Sequence, residues 1–167
     1  MKIVLGPASA ELGERISQLT GFEKVSVASR IFPDGESYVR LEGSVYGEQV
    51  AIVQTTCVPQ DTRFLQLAFI ANAAKRNGAK KVCAVVPYLA YARQDKIFLQ
   101  GETVSVEAIA AMLNAAGVDA LVTVNVHSEA AFPKFPFPAK TLTAIPFLAE
   151  YFIQKGMKKE RPSQVTS

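Results

Sequence analysis

The chain has 167 residues, 49% of them hydrophobic and 20% charged, which fits one globular domain with a sizeable core and excludes a disordered or fibrous protein. A net charge of only +3, evenly spread, suits an anionic small-molecule ligand and excludes the dense basic surface of a nucleic-acid binder. Cys57 and Cys83 stand alone without metal-ligand spacing, and no apolar run approaches bilayer length. These features read as a reduced, cytoplasmic protein with no membrane partner.

Residues Lys2 to Leu5 read as a first strand, closed by Gly6-Pro7. Pro7-Ala8-Ser9-Ala10 mimics a signal-cleavage site, but the apolar run before it is far too short for a secretory leader. From about Ser9 to Thr20, Leu12, Ile16 and Leu19 share one helical face, and Gly21 is placed to end the helix. Lys24 to Arg30 alternates as a second strand. Phe32-Pro33-Asp34-Gly35-Glu36 follows, and Pro-Asp-Gly is turn chemistry. Taken alone it is a hairpin turn; alternatively, Asp34 and Glu36 are acceptors for an amino group or a ribose hydroxyl, with Phe32 as a stacking face. Tyr38 to Arg40 and Gln49 to Gln54 read as strands flanking a turn near Gly43 to Gly47.

Asp61 is a candidate N-cap for a helix running to about Asn77, and Phe64, Leu65, Leu67, Phe69 and Ile70 leave that helix almost no polar face. Lys81 to Val86 is a short apolar, β-branched run that reads as a strand buried on both faces. Pro87 stops it, and Tyr88-Leu89-Ala90-Tyr91-Ala92-Arg93-Gln94-Asp95-Lys96 leaves its carboxyl end, where open parallel sheets bind ligands. Arg93 offers a planar fork for phosphate, with Gln94 beside it; the plain alternative is a solvated loop. Ser105 is a candidate N-cap for a helix over Val106 to Ala116, ended by Gly117. Ala120 to His127 reads as another buried strand, ending on the only histidine of the chain. Phe132 to Pro138 is apolar but locked by prolines, and Thr143 to Gln154 is a helix with Ile145, Leu148, Ala149 and Phe152 on its inner face. Residues 157–167 form a polar tail. Strands and helices alternating at this spacing predict an α/β protein built on an open, mainly parallel sheet flanked by helices. No dinucleotide fingerprint and no Walker-type loop is present.

Pro87-Tyr88-x-x-Tyr91-Ala92-Arg93-Gln94-Asp95-Lys96 resembles the ATP-contacting signature of ribose-phosphate pyrophosphokinases, and Phe32-x-Asp34-Gly35-Glu36 resembles their second signature. The resemblance covers residues 1–156 as an amino-terminal ATP-binding domain and implies a phosphoribosyltransferase-like fold. It implies ATP contacts from Phe32, Asp34, Gly35, Glu36, Arg93 and Gln94, with the hairpin loop reaching a neighbouring subunit's adenine in a homo-oligomer. Arg93 and His127 are the implied catalytic-site residues. His127 is also the implied metal-site residue, with Mg2+ as cofactor, although histidine is a poor ligand for so hard a cation. Many family members carry Asp where this chain has Asn125. The family's reaction is transfer of diphosphate from ATP to the C1 hydroxyl of ribose 5-phosphate, giving phosphoribosyl pyrophosphate and AMP. The family's ribose-phosphate-binding half has no counterpart here, so the chain alone is expected to be inactive. It is expected to be a fragment, half of a split enzyme, or a non-catalytic regulatory relative; an unrelated nucleotide-binding module is the remaining alternative.

Overall fold

The computed structural model describes residues 1–156; the tail expected over 157–167 lies outside them. In chain order the elements are β1 (Lys2–Leu5), α1 (Ala10–Thr20), β2 (Glu23–Val25), β3 (Val27–Ile31), β4 (Ser37–Leu41), β5 (Gln49–Val53), α2 (Gln60–Arg76), β6 (Lys81–Val86), α3 (Ser105–Ala115), β7 (Ala120–Val124), a 3-10 helix (Glu129–Lys134), β8 (Ala139–Leu142) and α4 (Ile145–Gln154). Six strands form one sheet in the order β2-β1-β5-β6-β7-β8, and every pairing in it is parallel. The expected α/β architecture is therefore present, with the central sheet wholly parallel.

Central strands are apolar because both faces are covered. Val4, Ile52, Val82, Ala84 and Val86 meet Phe64, Leu67 and Ile70 of α2 and Val106, Ile109 and Leu113 of α3 in the larger core. Ile3, Leu5, Ala51 and Val53 turn to the other face, with Ile16 of α1 packed against them. That second face is covered less completely. Cys83, Val85, Val122 and Val124 are only half-buried there. Burial pushes the Cys83 thiol above its ordinary value, with Lys140 opposing, so it stays a protonated packing group.

Several sequence expectations need correction. The stretch 24–30 is not one strand: β2 joins the main sheet, whereas β3 pairs antiparallel with β4 in a separate two-stranded ribbon. The strands flanking Gly43 to Gly47 consequently lie in different sheets. In α1, Leu12 and Leu19 face solvent and Gly13 faces the sheet, because a Cβ there would meet Leu5 Cδ2 at 2.6 Å. The absent side chain lets the helix sit close, a spacing that hydrophobic periodicity does not report. In α2, Leu65 and Phe69 are exposed while Phe64, Leu67 and Ile70 are buried. Asp61 is not its N-cap; the helix begins at Gln60, and Asp61 lies in the first turn. Ser105 likewise opens α3 rather than capping it, after Val104. β7 stops at Val124, short of His127, because Asn125 takes a left-handed φ of 46°. The edge strand β8 follows the proline-locked stretch without a sequence expectation, its four residues being too few to show a period. α4 forms at the expected place but has no buried residue, so its supposed inner face of Ile145, Leu148, Ala149 and Phe152 is exposed.

Candidate functional site

The site begins where β6 ends. Pro87 has no N–H to continue the ladder, and the chain turns over the top of the sheet. The fully buried Thr56, just beyond β5, fixes that turn from below. Its hydroxyl donates to Tyr88 O at 2.8 Å and accepts from Ala90 N at 2.8 Å, and its own N–H donates to Tyr88 O. Leu89, Ala90 and Ala92 are buried, which leaves Tyr91 and Arg93 turned outward. Tyr91 adopts a left-handed φ of 65°, an unfavourable state for an aromatic residue that persists only where the surroundings impose it. Its hydroxyl donates to the Asp61 carboxylate on α2. That hydrogen bond, with desolvation and the Asp61 charge behind it, raises the Tyr91 phenol above its usual value.

Above the carboxyl ends of β6 and β7 opens a cleft of about 650 Å³. Arg93 and Gln94 line one side, Asn125, Val126 and His127 another, with Gln60 and Ser105 from the starts of α2 and α3 completing the wall. The structure thus brings together three of the residues singled out from the sequence, Arg93, Gln94 and His127. Arg93 is exposed and makes no ion pair among the described residues, so its fork is free for an anionic ligand. His127 is exposed and lines the same cleft, displaced from the strand by the turn at Asn125. The Asn125 amide is already engaged: Oδ1 accepts from Ala144 N at 2.9 Å and Nδ2 donates to Thr143 Oγ1 at 3.3 Å. This side chain ties the end of β7 to the start of α4.

The lining contains no Asp or Glu, and no cluster of three His, Cys, Asp or Glu residues occurs among the described residues. A hard cation such as magnesium needs oxygen ligands and usually carboxylates, so this wall does not by itself make a magnesium site.

The hairpin residues do not line this cleft. Phe32, Asp34, Gly35 and Glu36 form the tip of the β3–β4 ribbon, closed by a Phe32 N–H to Glu36 O bond of 2.8 Å. Asp34 Oδ1 accepts from Glu36 N at 3.2 Å, which is the turn chemistry read from the sequence. Asp34, Gly35 and Glu36 are exposed, and Arg30 stacks on both Phe32 and Tyr38, at 4.5 and 4.9 Å from the ring centres. The ribbon rests on α2 through β4 and holds its tip out as a preformed projection.

The supporting roles of three residues were not read from the sequence, although Asp61 was singled out there as a helix cap. Thr56 and Asp61 carry no local signal of these contacts, because their partners lie 32 to 34 and 30 residues away. Gln54 did leave one, an amide directly after an apolar strand. It is fully buried between β1 and β5, accepting from Ala8 N at 3.0 Å and donating to Arg63 O at 3.3 Å.

A family pattern described as the N-terminal domain of ribose phosphate pyrophosphokinase matches residues 1–117. The chain belongs to the ribose-phosphate pyrophosphokinase family. The ribose-phosphate pyrophosphokinase of Methanobrevibacter smithii is 37% identical over 153 residues, 92% of this chain and 51% of that protein. The Saccharolobus solfataricus ribose-phosphate pyrophosphokinase is 44% identical over 127 residues, 76% of this chain and 44% of that protein. A crystal structure of phosphoribosylpyrophosphate synthetase from Mycobacterium smegmatis superposes with a TM-score of 0.84 at 28% identity, covering 92% of this chain and 51% of the other. The family and the phosphoribosyltransferase-like fold implied by the two signatures are both present. The chain spans about half the length of these relatives.

Proposed function

We propose that this chain is the ATP-binding half of a ribose-phosphate pyrophosphokinase. In this reading its cleft holds ATP while diphosphate passes to the C1 hydroxyl of ribose 5-phosphate, in the service of nucleotide biosynthesis in the cytoplasm. The observation that carries the proposal is the convergence of Arg93, Gln94 and His127 on one cleft at the carboxyl edge of a parallel sheet. Arg93 pairs with the phosphates, Gln94 hydrogen-bonds the nucleoside, and His127 donates to phosphate oxygen from the loop after β7. Phosphoryl-group transfer depends mainly on such positioning and charge neutralisation. With no carboxylate in the wall, His127 is assigned to phosphate rather than to metal, and no step is routed through magnesium.

The hairpin tip does not line its own chain's cleft and its Asp34, Gly35 and Glu36 are exposed, so in this reading Phe32, Asp34, Gly35 and Glu36 serve the nucleotide of a second copy in a homo-oligomer. Ribose 5-phosphate is the partner substrate only when the half that relatives carry beyond this span is supplied. The exposed apolar α4 and the half-buried Val122 and Val124 are the surfaces that such a half covers. Titration calorimetry with ATP, together with an assay of AMP formed in the presence of ribose 5-phosphate, tests the reading. ATP binding without turnover is expected of the chain alone. Absence of ATP binding refutes the assigned site, and AMP formation by the chain as sole protein refutes the division of labour.

A further inference from the structure

Gln94 is held in a particular way. Its main chain donates to Tyr91 O and accepts from the buried Val106 N at the start of α3, each at 3.3 Å. Its side-chain Nε2 lies 3.4 Å from Lys96 O and 3.5 Å from Glu102 Oε2. A main-chain carbonyl and an ionised carboxylate are both acceptors only. The amide therefore turns its NH2 group toward them, and the orientation of Gln94 follows from the chemistry of its neighbours. Gln94 Oε1 has no hydrogen-bond partner among the described residues and remains an acceptor on a residue that lines the cleft.

Glu102 is itself fixed. The same oxygen, Oε2, accepts from Phe98 N at 2.8 Å and Leu99 N at 2.9 Å, and Glu102 N–H donates to Leu99 O at 3.2 Å. These bonds close the loop that follows the signature, although Ile97, Phe98 and Leu99 all present their side chains to solvent. A loop with no core contact of its own is held here by one carboxylate. The bonds from Leu99 and Phe98, with a smaller opposing effect of desolvation and help from Gln94, lower the Glu102 carboxyl below its usual range.

We propose that Glu102 is a positioning residue that sets nucleotide specificity, by holding the Gln94 amide so that only its carbonyl oxygen faces the ligand. This inference rests on the ATP reading of the cleft. Its chemical content is that the ligand offers Gln94 a hydrogen-bond donor from its nucleoside portion, either the base amino group or a ribose hydroxyl. A ligand without a nucleoside gains nothing from the arrangement.

The test uses the chain itself, with ATP, ITP and inorganic tripolyphosphate as probes in calorimetry. Glu102→Ala is expected to weaken ATP by about two- to tenfold, one ordinary hydrogen bond, and to leave tripolyphosphate unchanged. If ITP binds parent and variant alike, the donor is the amino group; if ITP loses as much as ATP, the donor is a ribose hydroxyl. Either pattern supports the proposal. Glu102→Gln keeps an acceptor for Phe98 and Leu99 and is expected to recover most of the ATP affinity. Independently, the amide resonances of Phe98 and Leu99 in the parent should titrate with a midpoint below the ordinary glutamate value, and this titration should vanish in Glu102→Gln. Unchanged ATP affinity in Glu102→Ala, or an equal loss for tripolyphosphate, overturns the positioning role even if the amides titrate. A parent that binds neither ATP nor tripolyphosphate overturns the ATP reading and takes this inference with it. Amides that do not titrate overturn, on their own, the bonding of Phe98 and Leu99 to Glu102 on which the proposal stands.

Discussion

Two crevices lie along the carboxyl edge of the same parallel sheet, and they have been treated in opposite ways. The first lies between β1 and β5, where the chain reverses its direction of travel across the sheet, the position at which open α/β sheets usually bind ligands. Here it is filled. Gln54 occupies it with both ends of its amide bonded to main chain, Ser9 Oγ accepts from Thr55 N at 2.8 Å, and a Cβ on Gly6 would lie 2.4 Å from Gln54 Oε1. The second crevice, over β6 and β7, is open, lined by side chains with unused hydrogen-bonding groups such as Arg93 and His127. Topology therefore offers sites along an edge, and the side chains that leave each strand decide which one receives a ligand.

The closed crevice should respond most strongly to substitution. Gln54→Ala leaves the Ala8 N–H without its partner and empties the space of a fully buried side chain, and it should cost about 2–4 kcal/mol of stability in urea unfolding. ATP affinity should be unaffected in the fraction that remains folded, because Gln54 does not line the open cleft. A loss below about 0.5 kcal/mol, the range of an ordinary surface substitution, would show that the first crevice is not sealed by this residue.

The open end should respond in the reverse sense. Arg93→Ala removes a charge-assisted fork of about 1.5–3 kcal/mol, so ATP should bind roughly ten- to a hundredfold more weakly. Stability should be unchanged, since the Arg93 side chain has no hydrogen-bond or ion-pair partner among the described residues. Arg93→Lys should recover only part of the affinity, because an ammonium has no bidentate geometry. Calorimetry paired with thermal melts separates these outcomes, and an Arg93→Ala chain that binds ATP like its parent would remove Arg93 from the site.

The residues that line the open crevice were legible in the sequence, whereas those that support it or fill the closed one were not, for a physical reason. Arg93, Gln94 and His127 lie in the loops that leave β6 and β7, so their position along the chain already places them near the carboxyl edge of the sheet; Gln54 directly follows β5 in the same way, but nothing local shows that it fills a crevice. Thr56, Asp61 and Gln54 act through partners distant in sequence, which become neighbours only once strand order is known. The same limit explains the corrections to the fold. Periodicity predicted α1 and α4 as helices, but it assigned Leu12, Leu19 and Leu148 to inner faces only by supposing that each apolar stripe meets a core. The structure seats α1 through Gly13 and leaves the Leu148 face of α4 without cover.

The smallest expected effect concerns the hairpin, which belongs to neither crevice of its own chain. If its tip serves the nucleotide of a second copy, Asp34→Ala and Glu36→Ala should weaken ATP, by about two- to tenfold each for loss of one hydrogen bond. Tripolyphosphate has neither base nor sugar, and removing an anion does not harm the binding of a polyanion, so its affinity should stay level or rise slightly. The effect should also depend on association. Light scattering should find a dimer or larger assembly at micromolar concentration, and the difference between ATP and tripolyphosphate should fade as dilution takes the chain to monomer. The tip closes through main-chain bonds of Phe32, Gly35 and Glu36 as well as through Asp34 Oδ1, so the Glu36 substitution is the cleaner of the two. A Glu36→Ala chain whose ATP affinity equals that of the parent in a verified oligomer would reduce the hairpin to a turn and leave nucleotide recognition to the cleft alone.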